Sequence, residues 1–172
     1  RDGDLDLFSK AADGTGPVEL VHDSAGEQTA QAWSADGESL VVQHWMGGAN
    51  TSDISVLGVS DGDSERDPVV ATEFAEFYAD VSPDGRWLAY TSLESGSFEI
   101  YARPFPNVED GRWQISRAGG RGPIWGPESN ELFYRMGTDM MVVTMETEPT
   151  LAPGNPRVLF SGSYRPGIAG RA

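Results

Sequence analysis

A tight-hairpin signal occurs three times in this chain at nearly constant spacing, and that repetition limits the possible folds more than any other feature. In the clearest copy, Ala79-Asp80-Val81 and Trp87-Leu88-Ala89-Tyr90 flank Ser82-Pro83-Asp84-Gly85-Arg86. Pro83 fixes φ near about −65°, which suits the second position of a type I turn and excludes type I′. Asp84 can hydrogen-bond the turn backbone, and Gly85 can take positive φ at its exit. This chemistry predicts a three-to-four-residue hairpin with a bulge. Trp33-Ser34-Ala35-Asp36-Gly37 before Leu40-Val41-Val42 is an upstream copy, and Trp125-Gly126-Pro127-Glu128-Ser129-Asn130 before Leu132-Phe133-Tyr134 is a degenerate downstream one. Asp36 to Asp84 is 48 residues, and Asp84 to Glu128 is 44.

Two more landmarks keep step with the hairpins. One is Asp6-Leu7-Phe8, Asp53-Ile54-Ser55-Val56, Glu99-Ile100-Tyr101 and, weakly, Met140-Met141-Val142-Val143. The other is Val18-Glu19-Leu20-Val21, Val69-Val70-Ala71, Trp113-Gln114-Ile115 and Val158-Leu159-Phe160. Short strands, Gly/Pro/Asp/Ser turns and a fixed order at this period predict an all-β array of four-stranded antiparallel units, each one blade of a β-propeller. A leucine-rich or helical solenoid needs other periods and helical spacing.

The segments Ser82-Pro83-Asp84-Gly85-Arg86-Trp87-Leu88-Ala89-Tyr90, Phe98-Glu99-Ile100-Tyr101-Ala102-Arg103-Pro104-Phe105-Pro106 and Arg112-Trp113-Gln114-Ile115-Ser116 resemble bacterial TolB-type, WD-repeat-like propeller repeats. Their nearest flavour is the set of repeats C-terminal to bacterial serine/threonine kinase domains. The resemblance covers nearly the whole chain and implies a bacterial interaction or sensor module, following a kinase domain or belonging to an envelope protein. An extracytoplasmic setting is thereby favoured. Propellers host binding and catalysis alike, so the resemblance speaks to fold before function.

Taken in order, residues 1–22 read as a partial blade with third and fourth strands only. Full units follow over 27–72, 75–117 and 121–160, with a Gly- and Pro-rich tail at 161–172. The strands fall near 30–34, 39–45, 53–58 and 68–72, then 76–82, 87–92, 97–103 and 112–117, then 122–126, 131–136, 140–145 and 157–160. This makes 14 strands, or about three and a half blades. Open blade faces would leave apolar surface in water. The chain is therefore expected to be a segment of a longer propeller, or to self-associate through those faces.

The net charge of −15, from 27 acidic and 12 basic residues, argues against a nucleic-acid partner. Cysteine is absent, which excludes disulfides and thiolate chemistry. No apolar run reaches about 18 residues, so membrane insertion is not expected. No cofactor is implied.

The candidate chemistry is sparse. Gly58-Val59-Ser60-Asp61-Gly62 fits the Gly-x-Ser-x-Gly pattern, but that motif needs a strand before it and a helix after it. Between blade strands it reads as a turn. Asp2-Gly3-Asp4-Leu5-Asp6 and Asp61-Gly62-Asp63-Ser64-Glu65 alternate carboxylates, yet neither has Gly and Glu at the sixth and twelfth positions of a calcium loop. His22 and His44 are the only imidazoles, and neither sits in a catalytic motif. Trp33, Trp87, Trp113 and Trp125 read as packing between blades. His44 and Trp45, beside Gly47 and Gly48, read as a rim-loop ligand contact. Glu76, Tyr78 and Arg121 fall where one blade leads into the next, at the expected channel mouth, and are the other candidate ligand contacts. The leading expectation is a non-catalytic module binding a protein, peptide or small ligand. The alternatives are a substrate-gating propeller of a prolyl-oligopeptidase-like hydrolase and a self-assembling structural fragment.

Overall fold

Successive hairpins turn the chain back on itself, so strands that are neighbours in sequence become neighbours in space. The computed structural model describes residues 6–23, 26–45, 52–59 and 66–163. Within them, β1 (Leu7–Ser9) and β2 (Glu19–His22) form a two-stranded sheet. The first full sheet is β3 (Glu27–Trp33), β4 (Ser39–Trp45), β5 (Ser52–Gly58) and β6 (Arg66–Val70), in that spatial order. The second is β7 (Glu76–Val81), β8 (Trp87–Ser92), β9 (Glu99–Pro104) and β10 (Trp113–Gln114), with a 3₁₀ turn at Val108–Asp110. The third is β11 (Arg121–Trp125), β12 (Glu131–Met136) and β13 (Asp139–Glu146), with β14 (Ala152–Pro153) and β15 (Arg157–Ser161) both on the free edge of β13. Every pairing is antiparallel.

The described residues thus hold fifteen strands, one more than the sequence spacing predicts. Pro153 and Pro156 have no N–H to give a ladder, so the outer edge of the third sheet breaks between β14 and β15. Gly154 bridges part of the gap by donating to the Thr144 carbonyl at 2.8 Å.

Alternation along the strands shows how the sheets stack. In β8 all six residues are buried. Leu88 and Tyr90 pack into a core with Val41, Ile54 and Val70 of the first sheet. Trp87 and Ala89 point the other way, into a core with Leu132, Val143 and Met145 of the third. Successive side chains of a strand face opposite sides, so the second sheet is sandwiched between its neighbours. A smaller core of Leu40, Val42 and Leu57, with Leu7 against it, joins the first sheet to the two-stranded one.

Trp33 departs from the packing expected of it, being 53% exposed. The equivalent Val81 and Trp125 are buried against a full preceding sheet. Before the first sheet the described residues supply only β1 and β2, and these leave about half of Trp33 exposed. At the far end, Ile124, Val158, Leu159 and Phe160 are exposed on the third sheet.

The three repeated turns share one hydrogen-bond design. Ser82 N–H donates to the Trp87 carbonyl at 2.8 Å, and Gly85 N–H to the Ser82 carbonyl at 2.7 Å. The corresponding bonds are Ser34 to Ser39 and Gly37 to Ser34, both 2.9 Å. In the third copy they are Gly126 to Glu131 at 2.8 Å and Ser129 to Gly126 at 3.1 Å. Burial alone would push the Asp84 carboxyl up, but bonds from the Ser82 hydroxyl and from Arg86 hold it below the usual carboxylate range. Gly37 and Gly85 both sit at φ +74°, whereas Ser129 takes +57° in the degenerate turn.

The turns also pack on one another. A Cβ on Gly85 would lie 2.8 Å from the Ala35 Cβ, whereas one on Gly37 would meet nothing within 4 Å. Gly85→Ala is therefore expected to lower stability by about 2–3 kcal/mol and Gly37→Ala by only about 1 kcal/mol, since only the former adds a clash to the backbone strain. Paired urea denaturation curves check this; equal losses would mean that the turns do not touch.

Candidate functional site

The first strand of each full sheet carries a bulge at the same place. One extra residue enters β3 between Ala30 and Ala32, β7 between Phe77 and Asp80, and β11 between Arg121 and Ile124. Counting back from the turns makes Phe77 the counterpart of Arg121, and Tyr78 that of Gly122. Both bulge residues adopt positive φ, +52° at Tyr78 and +61° at Gly122. Each bulge frees an N–H from the ladder and hands it to the preceding sheet. Tyr78 donates to Gln43 Oε1 at 3.2 Å, and Gly122 to Thr91 Oγ1 at 3.1 Å. Glycine takes this backbone freely, but a left-handed tyrosine costs on the order of 1 kcal/mol.

Beside the two bulges the second and third sheets part into a cleft of about 580 Å³. Tyr78, Phe98, Arg121, Arg135 and Met136 line it, with Gly119, Gly120 and Gly122 exposing backbone to it. The Arg121 guanidinium carbon lies 3.4 Å from the Phe98 ring centroid, a cation–π contact. Phe98 packs on Phe77, centroids 5.7 Å apart, and Phe77 on Tyr78 at 6.0 Å.

A buried carboxylate fixes the cleft's glycine loop. Glu99 accepts bonds from the Ser116 hydroxyl, from Gly119 N–H at 2.9 Å and from the Ser97 hydroxyl at 3.4 Å. Gly120 N–H donates to the Phe98 carbonyl at 2.7 Å. A Cβ on Gly120 would fall 2.7 Å from both Ile100 Cγ1 and Ser116 Oγ, so only glycine lets the loop lie this close.

The residues singled out in the sequence separate into three places. Tyr78 and Arg121 meet in the cleft. Glu76 is 1% exposed and clasps the preceding connection, accepting from Thr72 Oγ1 at 2.5 Å and Thr72 N–H at 3.4 Å. Burial pushes its carboxyl up to about 7 against those bonds. His44 lies buried on β4, its Nε2 3.9 Å from the Asp53 carboxylate. Burial and the Arg66 charge hold its imidazole below the usual range, against the pull of Asp53. Trp45 ends β4, 47% exposed.

Phe98, Arg135 and the glycines were not signalled by the sequence. Phe98 precedes a third-strand landmark and Arg135 sits inside a strand pattern, so each reads as structural. Of the Gly-x-Ser-x-Gly match, Gly58 closes β5, while residues 60–62 lie outside the described residues, as do Asp2, Asp4, residues 46–51 and residues 63–65. Among the described residues, no three His, Asp or Glu side chains are grouped to hold a metal ion. None of the helices there is long and apolar enough to cross a membrane.

No protein-family model matches the chain. Solved structures do. A protein assigned as TolB from Agrobacterium tumefaciens superposes with a TM-score of 0.73 at 20% identity, over 92% of this chain and 57% of its own. TolB from Acinetobacter baumannii gives 0.67 at 18% identity, over 89% and 37%. The fold is that of a TolB-like β-propeller. A prolyl endopeptidase structure also matches, with a TM-score of 0.58 at 16% identity, over 87% of this chain and 25% of its own. The chain thus spans little more than half of the first of these propellers and less of the others.

Proposed function

We propose that the chain is a non-catalytic interaction or sensor module of a bacterial propeller protein, and that it binds a protein, peptide or small ligand in the cleft of Tyr78, Phe98 and Arg121. The observation carrying this reading is Tyr78, a left-handed non-glycine residue left 47% exposed at the cleft. Strain of this kind persists where the surroundings impose it, and it clusters at ligand sites. The neighbouring blade solves the same backbone problem with Gly122. A volume near 580 Å³ falls within the common range for small-ligand sites, about 300–1,000 Å³.

The test is Tyr78→Gly. Thermal unfolding of this variant is expected at or above the parent midpoint, because glycine relieves the backbone, while binding of the natural partner falls at least tenfold. A variant that unfolds earlier yet binds normally would make Tyr78 a packing residue and remove the basis for this site.

Within this reading, blade units run over 27–72, 75–117 and 121–160, and the chain forms part of a longer propeller. An extracytoplasmic setting accords with the TolB-like fold. Contact between open blade faces of two copies is the remaining use for the exposed Ile124 and Phe160. A second function, gating substrate for a hydrolase domain elsewhere, draws support from the likeness to prolyl endopeptidases. A downstream Gly-x-Ser-x-Gly in a strand–turn–helix context of the same gene would favour it.

A further inference from the structure

Arg121 and Arg135 stand directly opposite each other on β11 and β12, and both line the cleft. Like charges in that relation destabilise a sheet. The chain carries only 12 basic residues against 27 acidic ones, yet among the described residues that line the cleft these two arginines are the only charged side chains. Asp139 is in register with Met136 but is not part of the lining. The Phe98 face offsets part of the charge on Arg121. Arg121 and Arg135 thus both border a cavity whose other described walls are aromatic rings, Met136, small side chains and glycine backbone.

We infer that the cleft selects a carboxylate borne on an apolar or aromatic group. This rests on reading the cleft as a ligand site, and it names the ligand's chemistry. A planar guanidinium matches a carboxylate through two parallel N–H···O bonds, which gives both strength and orientation. Tyr78, Phe98 and Met136 supply the apolar wall for the attached group. A singly charged, half-apolar ligand suits the cleft better than phosphate, because the net charge of −15 opposes each added negative charge. A peptide C-terminus and a free organic acid share this chemistry.

The experiment is a ¹⁵N-correlation NMR titration of the 172-residue chain with four probes. These are N-acetyl-glycyl-phenylalanine, its C-terminal amide, 3-phenylpropionate and inorganic phosphate. The acids are expected to shift the amides of Gly119, Gly120 and Gly122, and the amide probe to bind at least tenfold more weakly. Arg121→Gln and Arg135→Gln should each weaken the acids at least tenfold with spectral dispersion retained, while Arg117→Gln, outside the cleft, leaves affinity unchanged. Tighter binding of the peptide acid identifies a chain terminus as the source, and equal or tighter binding of 3-phenylpropionate a free acid; either upholds the inference. An amide that binds as well as its acid, or phosphate that binds as well as the carboxylates, overturns the carboxylate inference and leaves the ligand cleft standing. Silence of the cleft amides toward all four probes overturns both.

Discussion

Leu132→Ala will destabilise the protein by about 3–4 kcal/mol, whereas Leu159→Ala will cost less than about 1 kcal/mol. Both leucines lie on the third sheet, but on different faces. Leu132 is fully buried in the core shared with Trp87, Ile100 and Ala102 of the second sheet. Truncating it opens a cavity between two sheets that cannot collapse independently, so the loss of transfer energy is joined by lost contacts. Leu159 is 44% exposed on β15, beside Phe160 and Ile124, and its truncation leaves groups that are already solvated. Chemical denaturation of the two variants measures the contrast. Equal losses would mean that the outer face of the third sheet is covered, for instance by a second copy of the chain.

Glu76→Gln will make the protein more stable above neutral pH and leave it nearly unchanged near pH 4. Burial raises the Glu76 carboxyl from its ordinary value near 4.5 to about 7, so the folded chain holds this proton more tightly than the unfolded one. The stabilisation is complete below about pH 4.5 and is lost as pH rises to about 7. Beyond that, the parent keeps a buried charge that Thr72 satisfies only in part. A shift of this size corresponds to at most about 3 kcal/mol, and glutamine removes it because it has no charge to bury. Urea unfolding at pH 4 and pH 8 reads the difference directly. A variant no more stable than the parent at pH 8 would show that Glu76 ionises without penalty.

The parts of this fold legible in the sequence are those encoded within a few residues. Ser82, Pro83, Asp84 and Gly85 each satisfy a local need of one turn, and the copies at Ser34 and Gly126 repeat the pattern, so the sheets and their order could be read directly. What escaped depends on partners distant in sequence. Nothing local to Tyr78 marks it for a left-handed backbone; the bulge there arises from register with Thr91 and Ala89 and from the acceptor on Gln43. The break between β14 and β15 was missed because Val158-Leu159-Phe160 alone satisfies a strand pattern. Arg121 was picked out by its position between blades, but its stacking on Phe98 emerges only when two sheets meet, and its place opposite Arg135 only from the bulged register of β11 and β12. Trp33 shows the converse limit: its sequence context matches Trp125, and only the sheet in front of it differs.

The measurement that bears most directly on the architecture is a methyl-resolved NOE spectrum of the chain. Stacked sheets in the order described predict cross-peaks from Leu88 to first-sheet methyls of Val41, Ile54 and Val70, and from Ile100 to third-sheet methyls of Leu132 and Val143. They also predict none between Ile54 and Leu132, which the second sheet keeps apart. Cross-peaks joining the first and third sheets, or none between any pair of sheets in a folded sample, would contradict the stack and the cleft built on it.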